Sequence, residues 1–136
     1  MIENQTNMET GSEKVYTCIV CPKGCSLKVK LNNNEIECIT GFQCSRGEAY
    51  ARAEALHPVR TLTTVMGVAG GLYPTVAVKS FPEIPREHLF ACMEKIRNIS
   101  VKAPIKPGDI LIYNVGSTGS NIVATGHNPL KSNEKV

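Results

Sequence analysis

The sequence predicts an α+β protein, with a small N-terminal metal-binding cysteine lobe followed by a strand-rich lobe that carries one amphipathic helix. Three observations predict it. Cys18, Cys21 and Cys25 crowd into one short stretch, two segments alternate apolar and polar residues around turn signals, and one later stretch places apolar residues three and four apart. At 136 residues the chain suits one domain or two small ones. An apolar fraction of 42% beside a charged fraction of 20% is near the globular average, so a buried core is expected without disulfides.

In order along the chain, residues 1–13 are polar and aperiodic and are expected to form a disordered tail. The cysteine lobe spans 14–58. Within it SLKVKL points Leu27, Val29 and Leu31 one way and Ser26, Lys28 and Lys30 the other, and after Asn32, Asn33 and Asn34 the run EIECIT alternates again, which predicts a hairpin. Arg46 to Leu56 is rich in helix formers and Pro58 ends it.

The scaffold lobe spans 59–126. TLTTVMGV and YPTVAVKS flank Gly70-Gly71 as a second hairpin, and Pro85 opens a helix to about Asn98 whose inner side holds Leu89, Phe90, Cys92, Met93 and Ile96. Short strands joined by glycine-rich turns are expected from Ser100 onward. Residues 127–136 read as a second disordered tail.

Charge excludes several roles. Fifteen Lys and Arg against twelve Asp and Glu leave a net charge of +3, too weak for a protein that grips many phosphates, so nucleic acid is not expected as a partner. The charge is uneven, because Glu3, Glu9 and Glu13 stand in the first thirteen residues without a base. No apolar run approaches the roughly 18 residues that span a bilayer, and the N-terminus lacks the pattern of a secretory signal. A cytoplasmic protein without direct membrane insertion is the expectation, and in that reducing setting clustered cysteines point to metal or redox chemistry.

The pattern is C-x2-C-x3-C-x18-C, from Cys18, Cys21, Cys25 and Cys44. Zinc ribbons present two separated pairs of ligands to one tetrahedral ion, whereas a cubane cluster lets one loop reach three irons and a distant residue the fourth. Three plus one favours a [4Fe-4S] cluster, with zinc as the alternative in a structural protein-interaction module without redox activity. Pro22 and Gly24 suit a tight ligand loop, and Lys23, Arg46 and neighbouring lysines have the sign to balance an anionic cluster, tune its potential or dock a partner. Four buried thiols without a metal would have no reason to gather at these spacings.

Cys38 shares the apolar phase of its strand with Ile36 and is expected to pack, as is Cys92 on the helix stripe. His57, His88 and His127 read as surface or capping residues. A thiol-disulfide catalyst using Cys18 and Cys21 would need a C-x-x-C opening a helix, but here Pro22 and Gly24 precede a strand. With no nucleophile beside a base and no phosphate loop, the chain alone is not expected to be an enzyme.

The runs TCIVCPKGCSLKV, GFQCSRGEAYA, TLTTV, AVKSFPEIP, APIKPGDILI and NIVAT resemble a family of small uncharacterised bacterial and archaeal proteins, a domain of unknown function with four shared cysteines. The resemblance spans roughly residues 15–126, implies metal binding at Cys18, Cys21, Cys25 and Cys44, and implies association with a flavin-dependent dehydrogenase of the glycerol-3-phosphate type. The cysteine region is also similar to the N-terminal [4Fe-4S] segment of molybdopterin oxidoreductases, with Gly41 to Gly47 as the setting of the fourth cysteine. Arg46 stands where those enzymes typically carry Lys, and the chain is far too short to hold their cofactor. The expected role is an accessory electron-transfer subunit of an oxidoreductase.

Overall fold

The computed structural model describes residues 11–132. The chain divides into two compact units, Met1–Pro58 and Val59–Val136.

In the first unit, strands β1 (Ser12–Thr17), β2 (Ser26–Asn32) and β3 (Glu35–Thr40) form an antiparallel sheet in that order, and helix α1 (Ser45–Leu56) packs on it. The alternation of β2 sets the core: Leu27, Val29 and Leu31 are buried with Cys18 and Ala51, while Lys28 and Lys30 face water. Asn33 and Asn34 both take positive φ, the two-residue turn that matches the twist of a hairpin. Strand β1 starts at Ser12, inside the stretch read as a tail, and the rest of that reading, residues 1–10, lies outside the described residues.

One register detail reverses a sequence reading. Ile36 sits opposite Leu31, yet Cys38 sits opposite the outward Lys30, because the pairing slips between Lys30 and Leu31. This bulge flips the phase of β3 part-way along, so Cys38 is exposed rather than packed.

The second unit holds β4 (Val59–Arg60), β5 (Thr63–Ala69), β6 (Thr75–Phe81), β7 (Ile84–Pro85), helix α2 (Leu89–Arg97), β8 (Ser100–Lys102), β9 (Ile110–Ile112) and β10 (Asn121–Ala124). Five of these strands make a sheet in the order β8-β5-β6-β10-β9, antiparallel except for β5 with β8, and β4 pairs with β7. Met66, Val76, Val78, Ile122 and Ala124 line the inner face and pack with Cys92 and Ile96 of α2 and with Ile84, Ile105 and Val115. Phe90 departs from expectation: it is 88% exposed, one position off the stripe of Leu89, Cys92 and Ile96.

The supposed C-terminal tail is partly built in. Asn128 is fully buried, its side-chain amide donates to the carbonyls of Tyr73 and Thr75 at 2.8 and 3.2 Å, and its carbonyl oxygen accepts from the Tyr73 amide at 3.1 Å. Its main chain exchanges two 2.9 Å hydrogen bonds with Ile105.

The expected α+β class with a distinct cysteine lobe is therefore corrected. Strands dominate the regular structure, and helices are few. The first unit is organised by an apolar sheet and helix, and of the four clustered cysteines only Cys18 is fully buried in its core. The short strands β8 to β10 fall where short strands are expected, whereas β4 and β7, two residues each, carry too few residues to signal themselves by period.

Candidate metal centre

The eight residues 18–25 connect β1 to β2, so three of the four clustered cysteines belong to one hairpin loop. Thr17 pairs with Ser26 at the last rung, and immediately beyond it the Cys18 amide donates to the Cys25 carbonyl at 2.8 Å, closing the mouth of the loop. Gly24, at φ +64, supplies the left-handed residue that returns the chain. Cys18 is buried beneath the loop, while Cys21 and Cys25 are half-buried.

The path to the fourth cysteine is set by a glycine. Gly41 has φ +89, and a Cβ on it would run into the Ser26 carbonyl, so only glycine lets the chain after β3 lie directly against the start of β2. Gly47 is buried in the first turn of α1, where an added Cβ would meet only ordinary van der Waals contacts, 3.5 Å from the Phe42 Cβ and 3.7 Å from the Cys18 Sγ. Cys44 is the residue before α1, extended at φ −151 and ψ 162, and its carbonyl accepts from the Gly47 and Glu48 amides at 3.1 and 3.3 Å.

The Cys44 thiol is exposed at a helix N-terminus, and without closing a full capping hydrogen bond it is held below the ordinary thiol pKa. The Gly47 amide is the largest cause; desolvation opposes it, and the Arg46 amide and guanidinium add to the lowering. The Gly47 amide thus acts on the Cys44 thiol, while the Cys18 sulfur lies 3.7 Å from where a Cβ on Gly47 would stand.

Lys23 is exposed on the loop and Arg46 is exposed beside Cys44. The remaining candidates stand apart: Cys38 is on the solvent side of β3, and Cys92 is buried in the second unit, where burial raises its pKa against a smaller opposing effect of Lys95. His57 ends α1 by donating its amide to the Ala53 carbonyl at 2.8 Å, His88 lies 3.7 Å from Glu87, and His127 is exposed.

The donors are chemically suited to iron or zinc, since all four are thiols and one is biased towards thiolate. Their placement is not a closed ligand set, because among the described residues no three His, Cys, Asp or Glu side chains are grouped closely enough to hold one ion. Sequence reading did not find Ile19, Val20 and Phe42, which are exposed around the loop; nothing in their types or spacing distinguishes them from core residues.

Residues 45–126 match the family described as "Protein of unknown function (DUF1667)". The chain belongs to this family. The DUF1667 match starts at the first residue of α1 and leaves the four clustered cysteines just outside it. Among solved structures, the chain is similar to an NMR structure of a Clostridium perfringens protein, at 25% identity over 57% of this chain and 91% of that one, with a TM-score of 0.49. No curated protein matches the chain. Among the described residues, no helix is long and apolar enough to cross a membrane.

Proposed function

We propose that the protein is an accessory electron-transfer protein that holds a [4Fe-4S] cluster through Cys18, Cys21, Cys25 and Cys44 and serves a flavin-dependent oxidoreductase of the glycerol-3-phosphate type. The observation that supports this reading is a hairpin loop carrying three thiols and a fourth thiol at the start of α1, whose Gly47 supplies the amide that acts on Cys44 and packs in the neighbourhood of the Cys18 sulfur. When bound, such a cluster accepts and releases one electron at a time.

The chain's own residues do the rest. Metal ligation requires thiolates, and the first-turn amides and Arg46 favour that form at Cys44. Gly41 and Gly47 hold the start of α1 against the loop, and Lys23 and Arg46 offset negative charge on the bound group. The flavoprotein partner rests on the resemblance to the four-cysteine family over roughly residues 15–126.

Anaerobic purification or reconstitution tests the reading. A brown protein with broad visible absorption that bleaches with dithionite is expected, and serine at any of the four cysteines should sharply lower iron content while Cys38→Ser retains it. A colourless protein with stoichiometric zinc would replace the relay with the structural zinc module, because zinc has filled d orbitals and no redox chemistry.

A further inference from the structure

Around the loop mouth the chain exposes apolar side chains that its own core does not use. Ile19 and Val20, directly after Cys18, are 75% and 39% exposed. Phe42 is 38% exposed, and its Cβ and the Cys18 sulfur both lie within 4 Å of where a Cβ on Gly47 would stand. The surrounding charge is mainly basic, with Glu13 opposite Lys30 on the sheet. From residue 14 to residue 46 there are five basic residues, Lys14, Lys23, Lys28, Lys30 and Arg46, and only two acids, Glu35 and Glu37. All seven are exposed, and the nearest acid on α1, Glu48, is paired with Arg52 at 3.5 Å.

We infer that Ile19, Val20 and Phe42, rimmed by Lys23 and Arg46, form the docking surface for an acidic redox protein whose contact face has an apolar centre; this rests on the electron-transfer reading of the same site. An apolar centre within a charged rim is the anatomy of a specific, reversible protein interface. The basic rim complements an acidic partner, steers its approach and selects against basic ones. The location suits transfer, since the apolar residues belong to the loop and to the segment that carry the four thiols, of which Cys44 is exposed and Cys21 and Cys25 are half-buried.

Purified flavodoxin, an acidic flavoprotein, is a defined probe for this surface. Calorimetric titration of the full metal-loaded chain should show binding that weakens steeply as salt rises. Ile19→Asp and Val20→Asp should each raise Kd about tenfold with an unchanged visible spectrum and melting temperature. Val65→Asp, at a 57% exposed position of β5 in the other unit, should leave Kd unchanged. Absent or salt-insensitive binding, or equal effects of Ile19→Asp and Val65→Asp, would overturn the proposal. So would loss of self-association or of binding to phosphatidylserine vesicles as the only effect of Ile19→Asp. The visible spectrum of the same sample reports separately on the redox reading, because a zinc-loaded chain that still binds flavodoxin keeps the surface and loses the relay.

Discussion

The two units solve the same problem with unequal means. The first buries five core residues, Cys18, Leu27, Val29, Leu31 and Ala51, while the second buries ten, from Met66 to Ala124. Buried apolar area is the main favourable term in folding, so the first unit has about half the internal support of the second. It is also where the clustered thiols lie. If the clustered thiols take up the proposed metal, so small a core means that ligation and folding of that unit would be one event, whereas the larger core of the second unit should stand without it.

Metal removal is the largest lever on that contrast. Chelation should lose or broaden the NMR amide signals of residues 12–56, since structural metal can supply on the order of 10 kcal/mol of folding free energy. Signals of residues 63–124 should stay dispersed. Collapse of the whole spectrum would mean that the two units share their stability.

Core truncation sharpens the comparison. Ile122→Ala, at a fully buried position of β10, should cost about 2–5 kcal/mol in thermal or denaturant unfolding of the second unit, with or without metal. Leu27→Ala should also lower metal retention, because Leu27 lies under Gly47 and next to the ligand loop. Equal metal content in the two variants would separate the first unit's core from its metal site.

Asn128→Ala should destabilise the second unit by about 1–3 kcal/mol, because it strands the Tyr73 amide and two carbonyls in a buried site. Metal content should not change. An unaffected melting curve would show that the segment after β10 contributes nothing to the scaffold.

The smallest expected effect is chemical. A lowered pKa gives Cys44 more thiolate at neutral pH than an ordinary thiol, and a raised pKa gives Cys92 less. In metal-free protein the first unit is expected to lose its fold and Cys44 its helix N-terminus, so iodoacetamide should modify Cys92 last while Cys44 reacts at the same rate as Cys21 and Cys25, as read by peptide mass spectrometry. A Cys44 that still reacts well ahead of them would show that α1 survives without metal.

Much of this structure was legible from local rules, and the failures have local causes. Strand β2 follows from Leu27, Val29 and Leu31, α1 from its helix formers, and the inner stripe of α2 from the spacing of Leu89, Cys92 and Ile96. Cys38 was misread because a bulge leaves no compositional mark, and one inserted residue reverses every later side chain in the strand. Asn128 was missed because a polar residue among Gly, His and Pro looks like a tail until the carbonyls it satisfies are known. At the site, the spacing of the cysteines marked the loop that carries three of them, while the close approach at Gly41 is a tertiary event that the motif alone does not contain.

The lengths of the outer strands in the five-stranded sheet bear on how the protein behaves when crowded. The inner strands β5 and β6 have seven residues each, but β8 and β9 at the two edges have only three. An edge that short offers few unpaired amides and carbonyls to a strand from another molecule, and Lys102 on β8 adds a charge that must be desolvated before pairing. The scaffold thereby carries its own protection against edge-to-edge aggregation at high concentration.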